Sequence, residues 1–157
     1  MLKVQENNTN ILALLQACVN GEATSRNLYF ARAMFWRNVG LTKLADYYER
    51  QSQEDHCQLS ADRLLFLGGR LSVSPSAVPL ALNDPITEQY RQDLAVETEL
   101  AENYADSIKV TEAAGDYVTA MIWKQVLQGT QEHCAYLEQE LRQIQLMGED
   151  QYLSTWR

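Results

Sequence analysis

Val126 to Leu141 reads VLQGTQEHCAYLEQEL. Val126, Thr130, His133, Leu137, Leu141 and Ile144 follow the three-and-four spacing of one helix face, so the His133 imidazole points where Val126, Leu137 and Ile144 point. That direction predicts the core. A buried imidazole needs a polar partner, and for a lone histidine a nearby carbonyl or carboxylate is sufficient. What His133 means therefore depends on residues elsewhere in the chain.

Outward from this stretch, Gly115-Asp116 and Gly148 bound a helix over about 116–147. At the other end of the sequence, Asn8, Thr9 and Asn10 are cap-type residues ahead of an apolar-periodic run over about 9–37. Its inward stripe is Ile11, Leu15, Cys18, Glu22, Ser25, Tyr29, Ala33 and Trp36, which sets a carboxylate in the middle of a core face. A second helical pattern over about 41–67 carries His56 and stops at Gly68-Gly69. All three prolines lie in Arg70 to Pro85, a connection long enough to cross the length of a bundle. Asn83-Asp84-Pro85 then opens a helix over about 85–112 with the stripe Ile86, Tyr90, Leu94, Glu97, Ala101, Tyr104 and Ile108. A second carboxylate thus lies in a second core face. Residues 149–156 read as a tail or short extra helix with Tyr152, Leu153 and Trp156 as a contact surface. The expectation is one all-α domain over 1–157, an antiparallel four-helix bundle with a long connection between its second and third helices.

A formal charge of -8 and a pI near 4.7 argue against nucleic acid or an anionic membrane as partner, since both demand a basic patch. Cys18, Cys57 and Cys134 have no zinc-type spacing and leave one unpaired, which suits a reducing compartment. The opening MLKVQENNTN has no apolar signal-like run, and no stretch approaches the roughly eighteen apolar residues of a membrane span. A soluble, cytoplasmic protein is expected.

The two halves of the chain resemble each other. Glu22 precedes Tyr29 by seven residues as Glu97 precedes Tyr104, and EDHC at 54–57 parallels QEHC at 131–134. Glu22 to His56 spans 34 residues and Glu97 to His133 spans 36, despite unlike connections. A bundle with this connectivity has a known metal arrangement: one Glu from each of two helices, and Glu-x-x-His from each of the other two. Glu22, Glu97, His56 and His133 match it, while Gln53 and Thr130 stand where the two Glu-x-x-His glutamates would be. Losing those bridging carboxylates argues against a di-iron pair. One divalent ion held by the remaining four residues, with Gln53 adding a carbonyl oxygen, and a metal-free network of buried Glu–His pairs are the two readings left. Tyr29 and Tyr104 read as core phenols bonded to those carboxylates, with Tyr29 next to the site.

GEATSRNLYFARAMFWRNVGLTKLAD, HCQLSADRLLFLGG, QDLAVETELAENYADSI and DYVTAMIWKQVLQGTQEHCAYLEQELRQIQLMGEDQYL resemble bacterioferritin, within the ferritin-like family, over nearly the whole chain. The resemblance implies a four-helix subunit with a short fifth helix, two-fold dimers, a hollow 24-subunit shell and iron storage. It places the family's terminal glutamates on Glu22 and Glu97, its histidines on His56 and His133, and its bridging glutamates on Gln53 and Thr130. The family's haem-binding methionine falls on Glu54, which argues against haem. The stretch Gly40 to His56 is shorter than the family's, and the gap is placed before His56. If it lies later, Asp55 takes the bridging position, Gln58 the histidine position and His56 the methionine position.

The favoured function is an iron-storage shell subunit with a degenerate ferroxidase site, which leaves room for co-assembly with a second, catalytically complete subunit. One alternative is an active ferroxidase in which Asp55 or Glu132 replaces a missing bridge. The other is a metal-free structural bundle.

Overall fold

The computed structural model describes residues 8–53, 56–77 and 82–157. Among them the helices are α1 Asn8–Val39, α2 Thr42–Gln53, α3 His56–Phe66, α4 Ile86–Ala113, α5 Tyr117–Met147 and α6 Glu149–Ser154, with no strand. The result is an all-α bundle with a short C-terminal helix. α2 and α3 flank residues 54–55 and share one long neighbour. Arg37 of α1 pairs with Glu49 of α2 at 2.8 Å, and Ser60 of α3 donates to Cys18 of α1 at 3.2 Å, so the α2–α3 course runs antiparallel to α1.

The reversal after α1 is local in origin. Gly40 adopts φ +93°, and its N–H and that of Leu41 return to the carbonyls of Arg37 and Trp36. At the far end Gly68, at φ +80°, stops α3, and Gly69 lies so close to Leu64 that a Cβ there would sit 2.5 Å from Leu64 Cδ1. A side chain at 69 would therefore displace the core.

The long connection is laid against α1 by matched periods. Gln16 accepts from Ser72 N at 3.0 Å and donates to Ser72 O at 2.6 Å, Asn20 accepts from Ser74 N at 2.9 Å, and Thr24 accepts from Ser76 N at 2.9 Å. Two extended residues advance about 6.6 Å and four helical residues about 6 Å, so alternate serines meet every fourth residue of the helix. This ladder carries the chain back toward the end where α1 finishes. There α4 starts, antiparallel to α1, with Trp36 Nε1 donating to Gln89 at 3.2 Å. α5 begins beside the end of α3, where Arg63 reaches Asp116 at 2.8 Å and Thr119 at 2.8 Å, and runs parallel to α1.

α6 is fixed by two carboxylates. Glu149 accepts from Ile86 N at 2.7 Å and from Thr87 Oγ1 at 3.1 Å, which caps α4 where Pro85 offers no side-chain cap. Tyr152 is buried, lies 2.9 Å from the Tyr90 hydroxyl, and donates to the buried Glu140. Glu140 is therefore an inter-helix anchor and not a solvated charge.

The core is in two parts. One holds Ile11, Leu15, Cys18, Leu64, Tyr104, Trp123 and Val126; the other runs from Leu28 and Tyr29 through Leu44, Tyr48 and Tyr90 to Leu137 and Tyr152. On α1, α4 and α5 the residues between them in sequence include Glu22, Glu97, Thr130 and His133. A polar layer divides the bundle at mid-height.

Candidate metal centre

Each polar residue of this layer sits where the helical period puts it, and each is held by a neighbouring helix. His133 Nδ1 lies 3.3 Å from Glu97 Oε1, and its Nε2 lies 2.9 Å from the Tyr47 hydroxyl. The same Glu97 oxygen accepts from Tyr29 at 2.5 Å. Glu97 and Tyr29 are buried, and His133 retains 12% side-chain exposure. The three helices α1, α4 and α5 thus meet at one carboxylate. Desolvation, reinforced by the Glu97 and Asp93 charges, pushes the Tyr29 phenol well above its ordinary value, so Tyr29 is the donor.

The second half is the mirror of the first across α1 and α4. Tyr104 of α4 donates to Glu22 of α1, as Tyr29 of α1 donates to Glu97 of α4. Around it the chemistry differs: Cys18 contacts the Tyr104 hydroxyl at 3.7 Å and accepts from Ser60 at 3.2 Å. Burial pushes the Cys18 thiol up to about 12, which makes it an inert packing residue. His56 opens α3, and its side chain, together with Glu54 and Asp55, lies outside the described residues. The Asp55 alternative therefore falls there too.

The two positions that the resemblance matches to bridging glutamates, Thr130 and Gln53, behave differently from each other. Thr130 is buried at 3% exposure, and its hydroxyl donates to the Val126 carbonyl of its own helix at 3.0 Å. Gln53 ends α2 on the exposed side. Among the described residues no three His, Cys, Asp or Glu groups converge on one point that could hold a metal. Gln58, too, is exposed. Cys134 is half-buried, and burial, with Glu97 and Glu138 nearby, raises its thiol above the ordinary value.

The fold agrees with what the chain is similar to. A family model described as a ferritin-like domain matches residues 12–147. The chain belongs to the ferritin-like family. Within that family it is 31% identical to a bacterioferritin of Streptomyces coelicolor over 92% of this chain and 87% of that one. It is 29% identical to a bacterial ferritin of Neisseria meningitidis serogroup B, over 94% and 96% of the two chains, and 28% identical to a bacterioferritin of Mycobacterium leprae, over 91% of each.

In this ferritin-like bundle a second buried polar group stands beside the first, and sequence reading passed over it. Asp93, one helical turn before Glu97, is fully buried and pairs with Arg32 at 3.0 Å, and Tyr48 donates to its other oxygen at 3.3 Å. Arg32 and Trp36 share Gln89 Oε1 as acceptor, at 3.3 and 3.2 Å. The ion pair is poorly aligned: Arg32 Nε and Asp93 Oδ1 lack a hydrogen-bond partner. Desolvation lifts the Asp93 carboxyl from 3.8 to about 6, opposed by the Arg32 and His133 charges. The available signal was spacing. Asp93 lies four residues before Glu97 and Arg32 three after Tyr29, on the inward faces already traced.

Proposed function

We propose that this chain is a bacterioferritin-like iron-storage subunit whose own ferroxidase centre is degenerate, with the oxidation step supplied by a catalytically complete subunit in the same shell. Iron is then cargo for the assembly. The observation that supports this reading is Thr130: a buried hydroxyl bonded to Val126 O stands at the position that the family resemblance gives to a bridging carboxylate. Gln53, at the other such position, is an exposed neutral amide at the end of α2. Two adjacent divalent cations need the negative charge of bridging carboxylates to offset their mutual repulsion. The donor set of Glu22, His56, Glu97 and His133 does not fit a di-iron pair, and no oxidation step is assigned to one.

The same four residues suit at most one divalent ion, as two carboxylates and two imidazoles. His133 Nδ1 and Glu97 Oε1 are both potential ligand atoms and face each other, so a proton or a cation belongs between them. With Tyr29 on Glu97 and Tyr104 on Glu22, each carboxylate also has a phenolic donor when no metal is bound. Assembly into dimers and a shell belongs to the same proposal and follows the family. Among the described residues no helix is long and apolar enough to cross a membrane.

The test is iron(II) oxidation in air by the purified chain, followed by ferric absorbance. The expected rate is that of protein-free buffer, and it rises when the chain is assembled with a bacterioferritin that has an intact centre. Rapid oxidation by the chain alone, with two metals bound per subunit, would overturn the proposal.

A further inference from the structure

In the part of the core that does not hold Tyr29, Trp123 of α5 lies at the inner end of a cavity of about 340 Å³. α1 supplies one wall with Leu14, and α4 supplies the other with Leu100 and Val110. Ala17, Asn103 and Asp106 are exposed and mark its mouth, whereas Trp123 and Ser107 are buried. The cavity is thus a pit that opens between α1 and α4 and ends on an indole. Its walls are mainly aliphatic. An engineered apolar cavity of about 150 Å³ holds benzene, so this one has room for two fused rings and one further atom.

The floor carries the information about what fits. Trp123 is fully buried, and its Nε1 has no hydrogen-bond acceptor among the described residues. A buried N–H without an acceptor is destabilising, and buried indoles ordinarily find one. The hydroxyl hydrogens beside it are already committed: Tyr104 donates to Glu22, and Ser107 donates to Asn103 O at 2.9 Å. Trp123 Nε1 is left as the donor to be met from inside the pit.

Charge narrows the ligand further. The lining holds no Lys or Arg, and Asp106 at the mouth is paired with Lys109 at 2.7 Å, so an anion finds no counter-charge. A cation would meet the positive end of the Trp123 N–H dipole. A single water would have one firm partner at the floor, where buried waters usually have about three. A carbonyl oxygen suits the site better than a hydroxyl, because it brings no second hydrogen that must be placed.

We propose that this pit binds a neutral molecule with an apolar body of one or two fused rings and a single carbonyl oxygen. The oxygen accepts from Trp123 Nε1, and the rings lie against Leu14, Leu100 and Val110. The body supplies most of the affinity by leaving water, and the oxygen supplies selectivity. Nothing in this site requires iron, so it stands apart from the function proposed for the metal centre.

The test uses the purified full-length protein without added iron and two probes of nearly the same shape, 1-indanone and indane, which differ by the carbonyl oxygen. Titration calorimetry should give 1-indanone a dissociation constant of about 0.1 mM, roughly tenfold tighter than indane. In ultraviolet resonance Raman spectra, the indole band that reports N–H hydrogen bonding should shift with 1-indanone and not with indane. Trp123→Phe keeps a ring at the floor and removes the N–H. It should abolish that shift and bring 1-indanone to within about twofold of indane. Ala17→Phe changes an exposed residue at the mouth and leaves the core intact, and it should weaken both probes at least tenfold. Equal affinities of the two probes for the native protein, no binding of 1-indanone, an indole band that it does not move, or binding undiminished in Ala17→Phe would each overturn the proposal.

Discussion

The Tyr29–Glu97–His133 half and the Tyr104–Glu22 half share one sequence pattern and have unlike surroundings. Around Tyr29 the neighbours are rings and charges: Tyr48 and His133 by ring contact, and the buried Arg32–Asp93 pair beyond. Around Tyr104 they are Cys18, Ser60 and one stacked indole, Trp123, with centroids 5.9 Å apart. The matching spacing in the two halves fixes which residue types meet at the centre. What those residues can do is decided by the layer behind them. The aromatic half holds more buried charge, so it should be the half that breaks first when a partner is removed.

The largest effect is expected from that charge. Arg32→Met leaves Asp93 buried without its cation, so the carboxyl must either take up a proton or stay ionised in an apolar site, and at pH 7 about 3–5 kcal/mol should be lost in denaturant unfolding, as breaking a buried pair does. Asp93→Asn with Arg32 intact tests the pair from the other side through pH. The folded carboxyl titrates near 6, above its ordinary 3.8, so between those values the folded state binds the extra proton. Stability from this group is therefore present at low pH and is lost as pH rises through about 6, to the extent of about 3 kcal/mol. Asn removes that loss. The difference in stability between variant and native protein should shift in favour of the variant from pH 4 to pH 7, and an unchanged difference would mean the carboxyl is not raised.

Next come the two phenols, as a matched pair. Tyr29→Phe leaves Glu97, only 7% exposed, without its phenolic donor, and about 1.5–3 kcal/mol should be lost. Tyr104→Phe does the same to Glu22, which is half-buried and can turn toward water, so the loss should be nearer 1 kcal/mol. Equal losses in thermal unfolding would remove the asymmetry between the halves.

How much of this was legible in the sequence follows from period and spacing. The stripes on α1, α4 and α5 place Glu22, Glu97, Thr130 and His133 on inward faces because a 3.6-residue period needs no tertiary information. The connection after Gly69 was legible as long and non-helical, but the serine ladder on Gln16, Asn20 and Thr24 was not. It depends on where an extended segment lies against a helix. Arg32 and Asp93 were hidden by their types: charged residues are expected outside, and only their mutual contact allows both to sit inside. Glu140 likewise has its partner, Tyr152, on another helix, which the pattern of a single helix does not show. Gln53 shows the limit in the other direction. A motif position assumed to face the core ends a described helix in solvent.

The smallest expected effect is the most informative about the centre. Thr130 is buried, yet its hydroxyl bonds only to Val126 O, whose main-chain partner within the helix remains. Val has nearly the same volume and its branched Cβ keeps the same packing, so Thr130→Val removes one local hydrogen bond and gains an apolar methyl. Stability should change by less than about 1 kcal/mol, and the affinity for iron(II) should not change, because the hydroxyl is committed to the Val126 carbonyl of its own helix. Thr130→Glu is the contrasting variant. It places a third carboxylate in a layer that already holds Glu22 and Glu97, so the metal-free protein should lose about 2 kcal/mol or more to desolvation and like-charge repulsion. A divalent ion should restore that loss by binding the folded state. Thermal unfolding of the two variants with and without iron(II) separates the cases: Val flat in both, Glu low alone and recovered by the ion. A Val variant that loses iron(II) affinity would make Thr130 a ligand, and with it the two halves of the centre would be less alike than their sequences.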